Sequence, residues 1–86
     1  MKGLEKTLKA LANQRRLQIL KNIQNQGEMS VGEIADKIKL SFKSTSRHLS
    51  ILSATDLVER EQRNIQVFYR LSKEKTPFVK ALLSEL

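Results

Sequence analysis

The chain has 86 residues, and its 16 Lys and Arg against 9 Asp and Glu leave a net charge of +7. This length predicts one domain with a thin core, and the charge favours a polyanionic partner, either nucleic acid or an anionic membrane surface. Cysteine is absent, which excludes disulfides and thiolate metal sites. No apolar run approaches the roughly 20 residues that span a bilayer. The first residues lack the apolar core of a signal peptide, so we expect them to belong to the mature fold.

Apolar residues at helical spacing predict two amphipathic helices at the start of the chain. The first carries Leu4, Leu8 and Leu11. The second begins after Asn13, a good helix cap, and ends before Gly27. Its apolar stripe is Leu17, Ile19, Leu20 and Ile23.

The middle of the chain predicts two further helices joined by a tight turn. Ser30 and Glu33 have the spacing of a capping box, which marks the start of a third helix. The run KIKL then turns, and Ser41 caps a fourth helix. The inward residues of the third helix are Val31, Ile34, Ala35 and Ile38, and those of the fourth are Thr45, His48, Leu49 and Leu52. This order predicts a helix-turn-helix motif.

After Asp56 the apolar period changes from 3.6 to 2, which predicts a β-hairpin. Its first arm runs from Leu57 to Gln62, and Arg63 and Asn64 form the tip. In its second arm Ile65, Val67, Tyr69 and Leu71 alternate with more polar residues. Thr76 and Pro77 then open a last helix with the stripe Phe78, Val79, Leu82, Leu83 and Leu86. We therefore predict a mainly α fold with a small β-hairpin, a single winged helix-turn-helix domain over residues 1–86.

The fourth helix presents hydroxyls and cations on its outer face, and we interpret this face as a DNA contact. Short hydroxyls let a helix backbone approach base edges and phosphates, while Lys43 and Arg47 can reach guanine or phosphate. The alternative is an ordinary solvated face. The candidate residues are Ser41, Phe42, Lys43, Ser44, Ser46, Arg47 and Ser50.

The hairpin, as the wing, adds Arg60, Arg63 and Asn64 as candidates for phosphate or minor-groove contact, with Arg63 the strongest. The alternative is an exposed hairpin whose charges discourage edge-to-edge pairing, and Glu59 and Glu61 weaken the electrostatic argument. The only histidine, His48, is interpreted as a half-buried core residue with a satisfied hydrogen bond, with a phosphate contact as the alternative.

Three segments together resemble the ArsR-type winged helix-turn-helix transcriptional regulators. They are LKALANQRRLQIL (8–20), MSVGEIADKIKLSFKSTSRHLSIL (29–52) and DLVEREQRNIQVFYRLS (56–72). The resemblance implies a cytoplasmic homodimer that binds a palindromic double-stranded DNA operator and usually represses. It also implies a dimer interface built by the terminal helices. The residues that would form it here are Leu4, Leu8, Leu11, Phe78, Leu82, Leu83 and Leu86. The alternative is that both stripes pack within their own subunit.

The chain also departs from this family. Its members often carry a hydroxyl residue in place of Lys43 and a glycine in place of Asp56. Many sense metals through two thiolates, and those positions are Ser30 and Gly32 here. We therefore expect no metal and no cofactor, and the effector stays unknown.

Other function classes find less support in these residues. One histidine, no cysteine and no paired carboxylates at catalytic spacing supply no catalytic network, so we expect no enzyme. Acidic residues in the terminal helices argue against membrane binding. The rival function is a winged-helix module for protein–protein assembly, for which only Phe42 supplies exposed apolar surface on the fourth helix.

Overall fold

The structure, a computed structural model, describes residues 2–86 and contains five helices and one small sheet. The helices are α1 (Lys2–Leu11), α2 (Gln14–Gln26), α3 (Val31–Ile38), α4 (Phe42–Ala54) and α5 (Pro77–Ser84). The strands are β1 (Met29–Ser30), β2 (Val58–Arg63) and β3 (Gln66–Leu71). Between residues 2 and 86, every helix is too short or too polar to cross a membrane. The predicted winged helix-turn-helix is confirmed, with α3 and α4 as the motif and β2–β3 as the wing.

Four helices begin at side-chain caps that the sequence predicted. The caps are Asn13, Ser30, Ser41 and Thr76. The capping box of α3 is complete, because the Ser30 hydroxyl accepts from the Glu33 N–H at 3.1 Å and the Glu33 carboxylate accepts from the Ser30 N–H at 2.8 Å. Local side-chain chemistry therefore sets where these helices start.

The core lies where α2, α3 and α4 meet the inner side of the sheet. Its fully buried side chains are Ile19, Leu20, Ile23, Ile34, Thr45, Leu49 and Leu52. Thr45 is the polar member, and its hydroxyl donates to the Ser41 carbonyl at 2.8 Å. Because that hydrogen bond lies within α4, burying the hydroxyl leaves no group unsatisfied.

The sheet has three antiparallel strands in the order β1-β3-β2, so β3 is central. Strand β1 was not predicted. It pairs Met29 with Tyr69 and Ser30 with Phe68, and it leads directly into α3. Two residues are too few to show an alternating pattern, so only the pairing with β3 reveals this strand.

The predicted hairpin tip is wrong by one residue. Arg63 pairs with Gln66, so the loop consists of Asn64 and Ile65. Asn64 takes the left-handed conformation, with φ 57°, which asparagine tolerates. Ile65 lies beyond the last pair and is 96% exposed, instead of beginning the inward alternation of the second arm.

Helices α2, α3 and α4 are each followed by a left-handed residue, and only one of the three is glycine. These residues are Gly27 (φ 87°), Lys39 (φ 56°) and Asp56 (φ 58°). After α3, the Leu40 N–H donates to the Ala35 carbonyl at 3.0 Å, and the Lys39 N–H donates to the Asp36 carbonyl at 3.3 Å. This is a Schellman motif, which normally prefers glycine at the left-handed position.

We expect Lys39→Gly to raise the free energy of unfolding by about 0.5–1 kcal/mol. The left-handed conformation costs a residue with a Cβ about 1–2 kcal/mol, which exceeds the roughly 0.4–1 kcal/mol of extra unfolded-state entropy that glycine brings. Urea unfolding measures the change. Lys37→Gly, at an exposed position within α3, is the control and should lower stability by about 1 kcal/mol; equal shifts in both variants would contradict this account.

Candidate nucleic-acid interface

Helix α4 is held by one buried seam and presents its opposite face to solvent. Thr45, Leu49 and Leu52 form the seam, and each is 0% exposed. The side chains on the other face protrude, and Phe42 is 62% exposed. Of the candidate residues, Ser41, Phe42, Lys43, Arg47 and Ser50 are exposed, while Ser44 and Ser46 are half-buried. The structure therefore brings the predicted reading residues together on one accessible surface.

The N-terminal end of α4 leaves polar groups available. The Ser41 hydroxyl accepts from the Ser44 N–H at 3.1 Å. Within residues 2–86, the N–H groups of Phe42 and Lys43 have no hydrogen-bond partner, as expected for the first turn of a helix. Within the same residues, the side-chain hydrogen bonds of α4 and its caps come from Ser41, Thr45, His48 and Thr55, and not from the Ser46 and Ser50 hydroxyls. These groups can serve an external partner such as a phosphate.

His48 is half-buried and hydrogen-bonded, as predicted. Its Nδ1 lies 3.2 Å from Nη1 of Arg16, and because a guanidinium can only donate, Nδ1 is the acceptor. Burial is the main cause that lowers the pKa of His48 below its ordinary value of 6.5, and the nearby charges of Arg16, Arg15 and Arg47 add to it. The neutral imidazole is therefore the form that the folded protein favours.

We expect stability to fall as the pH drops from 7 to 5.5, and His48 to be a cause. In the unfolded chain His48 takes up a proton near pH 6.5. In the folded protein its pKa is lower, so protonation there needs a lower pH. The free energy of unfolding is therefore highest above pH 6.5 and decreases as the pH falls from 6.5 through the lower folded pKa. Urea unfolding at several pH values measures this loss, and NMR titration of His48 measures the pKa. His48→Gln, which can still accept from Arg16, should lose less stability over the same range. A pKa of His48 at or above 6.5 would contradict the prediction.

Two arginines at the start of α2 are structural, a role that the sequence analysis missed. Arg15 donates to the Ile38 carbonyl at the end of α3. Arg16 donates to the Ala10 carbonyl near the end of α1, and to the Lys9 carbonyl at 3.2 Å. Cations satisfy the unpaired carbonyls at helix C-termini. The available signal was the adjacent pair Arg15-Arg16 in the first turn of α2. Only the packing shows which helix ends these two side chains contact.

The wing has two chemically different faces. The β2–β3 register places Arg60 opposite Tyr69 and Gln62 opposite Val67, and these residues share the face that looks toward α4. Arg60 and Val67 line a groove of about 540 Å³ together with Ser46 and Ser50 of α4. Within residues 2–86, the salt bridges do not include Arg60. Arg60 and the hydroxyls of α4 therefore open onto one common groove.

The other face of the wing is an ion-pair network, here called the outer-face network (Glu28, Glu59, Glu61, Arg63, Arg70). Arg63 contacts Glu28 at 2.6 Å and Glu61 at 3.0 Å. Arg70 contacts Glu61 at 3.1 Å and Glu59 at 3.3 Å. The Arg63 guanidinium also lies 4.6 Å from the centre of the Phe68 ring.

Arg63, the wing residue that the sequence favoured most as a DNA contact, belongs to this network. Hydrogen bonds to Glu61 and Glu28 raise the pKa of Arg63, and the hydrogen bond from Arg63 is the main cause that lowers the pKa of Glu61. A phosphate would have to replace two carboxylates to bind Arg63. DNA contact by Arg63 stays a prediction, and these ion pairs oppose it. No carboxylate within residues 2–86 pairs with Arg60 in this way.

The predicted dimer residues divide into exposed and buried groups. Leu4, Leu8 and Phe78 are 47%, 45% and 42% exposed. Leu82 and Leu86 are half-buried. Leu11 and Leu83 lie within the core of their own subunit. Leu4 and Phe78 also line a cavity of about 580 Å³ between α1 and α5. The surface available to a partner is therefore Leu4, Leu8, Phe78, Leu82 and Leu86.

Comparison with known protein families agrees with this geometry. A family model described as "Bacterial regulatory protein, arsR family" matches residues 13–60, which include all of the helix-turn-helix and the start of the wing. The chain belongs to the arsR family. The resemblance noted in the sequence is thereby confirmed.

Relatives within the arsR family extend over most of the chain. The transcriptional activator HlyU of Vibrio cholerae is 40% identical over 79 residues, which are 92% of this chain and 72% of the relative. The arsenical resistance operon repressor of Bacillus subtilis is 31% identical over 85 residues, covering 99% of this chain and 78% of the relative.

Solved structures show the same fold. Reduced HlyU from Vibrio cholerae has a TM-score of 0.82 at 39% identity, covering 98% of this chain and 84% of that one. The homodimeric winged helix-turn-helix DNA-binding domain of a possible ArsR-family regulator from Mycobacterium bovis also has a TM-score of 0.82. It is 32% identical, and the match covers 98% of this chain and 74% of that one.

The positions of the arsR-family thiolates have other uses in this chain. Ser30 caps α3 and also pairs with β3. Gly32 lies in the first turn of α3, and Glu28, the residue directly before β1, is held by Arg63. A hydroxyl and a glycine supply no soft ligand, so this segment is suited to structure and not to thiophilic metals.

Proposed function

We propose that this arsR-family protein is a sequence-specific DNA-binding transcriptional regulator that acts as a homodimeric repressor without a metal. One observation carries the proposal. Within residues 2–86, Arg15, Arg16, Arg63 and Arg70 have protein partners, whereas Arg47 and Arg60 have none. The two unpaired arginines lie on the solvent face of α4 and at the groove beside it. Positive charge left uncompensated there suits a polyanion.

In the proposed complex, the N-terminal half of α4 lies in the major groove. Lys43 and Arg47 contact guanine edges or phosphates, while Ser46 and Ser50 allow the helix backbone to approach closely. The sugar–phosphate backbone passes through the groove between α4 and the wing, where Arg60 neutralises a phosphate. Contacts from Arg60 fix the register, and contacts from α4 read the sequence.

The proposed homodimer places α1 and α5 at its interface. The exposed Leu4, Leu8 and Phe78 give these helices an apolar surface that a second subunit can cover, and the Mycobacterium bovis neighbour is described as homodimeric. Two-fold symmetry would set the recognition helices about one helical turn apart, roughly 34 Å, and would require a palindromic operator.

Repression is the regulatory direction that we propose. The relatives include an activator as well as repressors, among them the arsenical resistance operon repressor and the biofilm growth-associated repressor of Agrobacterium fabrum. A dimer bound to two half-sites about one helical turn apart can exclude polymerase from a promoter that contains the operator. We place the protein in the cytoplasm, where its operator would be, and assign it no catalytic activity.

Selection from a labelled genomic DNA pool, followed by footprinting and titration at several salt concentrations, tests the function. We expect a protected palindrome, and the logarithm of affinity should fall with the logarithm of salt by about 0.9 per phosphate neutralised. A reporter under the selected operator then distinguishes repression from activation. Failure to enrich any sequence, together with specific capture of a protein partner, would favour the assembly module instead.

Adding zinc or a chelator tests the metal-free part of the proposal. Because the thiolate positions are Ser30 and Gly32, we expect operator affinity to be the same with either addition. A shift of more than threefold in affinity, outside the error of replicate titrations, would show a metal site that this proposal excludes.

A further inference from the structure

The apex of the wing carries an isoleucine that the subunit does not cover. Ile65 is 96% exposed, more than any other large apolar side chain within residues 2–86. A single exposed apolar residue is ordinary on a protein surface. Ile65 differs from such residues in its position and in its surroundings.

The backbone holds Ile65 at the outermost point of the hairpin. Arg63 and Gln66 are the last paired residues, and the left-handed Asn64 makes the turn that follows. Arg63 also binds both carboxylate oxygens of Glu28, at 2.6 and 3.0 Å. This bidentate pair ties the end of the wing to the segment before β1. The end of the hairpin that carries Ile65 is therefore fixed to the rest of the domain.

The charged residue nearest the apex, Arg63, is held by Glu28 and Glu61. Arg60 faces the groove beside α4. In the outer-face network both guanidinium groups are engaged by carboxylates, so neither is free to bind a phosphate. The apex itself contributes only Asn64 and Ile65. A wing that approaches DNA would therefore meet it with an uncharged, partly apolar tip.

We infer that Ile65 is the contact that the tip of the wing makes with DNA, in addition to the phosphate contact of Arg60, and that it enters the minor groove beside the half-site read by α4. Its side chain would pack against deoxyribose and base edges while the outer-face network points away from the backbone. Apolar side chains are used in this way by minor-groove binders. The exocyclic amino group of guanine lies in that groove, so the contact should favour A·T pairs. This inference rests on the proposed function.

The experiment compares Ile65→Ser and Ile65→Leu with the unaltered protein on operators flanked by A·T or by G·C pairs. We expect Ile65→Ser to lose about tenfold in affinity for the A·T-flanked operator and to lose most of the flank preference, while Ile65→Leu keeps both. Hydroxyl-radical footprints should lose protection of the flanking sugars in Ile65→Ser. The salt dependence should not change, because no phosphate contact is removed.

Controls separate the tip contact from a general loss of binding. Ile51→Ser removes another exposed isoleucine, on α4, and should keep the flanking protection. Because Ile65 touches so little of the subunit, Ile65→Ser should melt at the same temperature as the unaltered protein. Unchanged affinity and unchanged sugar protection in Ile65→Ser would overturn this inference alone. An unaltered protein that selects no DNA would overturn the proposed function and this inference together.

Discussion

Leu8→Asp is expected to dissociate the homodimer and to lower operator affinity on the order of 100-fold or more, because two half-sites are then bound separately. Leu8 is 45% exposed in the single subunit, so the substitution removes little of that subunit's own core. In the proposed dimer it would bury an unpaired carboxylate, which is strongly unfavourable. Sedimentation measures the mass, circular dichroism measures the helix content, and titration measures the affinity.

Two variants test whether dissociation of the dimer depends on position 8 or only on the added negative charge. Leu8→Met keeps an apolar side chain and should remain dimeric. Lys9→Asp introduces the same aspartate at the neighbouring residue, which is exposed and pairs with Glu5, and it should also remain dimeric. A Leu8→Asp protein that is still a dimer with full affinity would place the interface elsewhere.

Arg47→Ala is expected to weaken specific operator binding by about 5- to 150-fold, corresponding to the roughly 1–3 kcal/mol of a good base contact. Arg47 is exposed and, within residues 2–86, has no ion-pair partner, so its removal leaves no buried group unpaired. The melting temperature should therefore stay the same while the affinity falls. Comparing the selected operator with a scrambled one measures the loss of specificity.

Lys21→Ala is the matched control for this substitution. Lys21 is an exposed cation on α2, outside the α4 surface, and its removal changes the net charge by the same amount. Lys21→Ala should lower affinity only slightly, and by the same factor for the selected operator and for the scrambled one. If Arg47→Ala and Lys43→Ala both bind the operator like the unaltered protein, the reading face has been assigned to the wrong side of α4.

The sequence by itself determined the helices and the hairpin, because the residues that mark each of them are close together along the chain. The caps at Asn13, Ser30 and Ser41 each need a side chain and an N–H three residues away, and the Thr45, Leu49 and Leu52 seam needs only helical spacing. Both kinds of signal are read from neighbours along the chain. The order of these elements then predicted a winged helix-turn-helix, and the resemblance of three sequence segments indicated its family.

Only the tertiary structure decided which charges remain available. Arg63 meets Glu28 across 35 positions, and Arg15 meets the end of α3 across 23; no periodic pattern reports such a pair. Strand β1 and the division of the leucines between core and surface likewise depend on packing. The sequence alone indicated that the proposed DNA surface carries hydroxyls and cations. It could not show which charged residues belong to that surface, because a charged side chain is available to a ligand only if no partner in the fold already engages it.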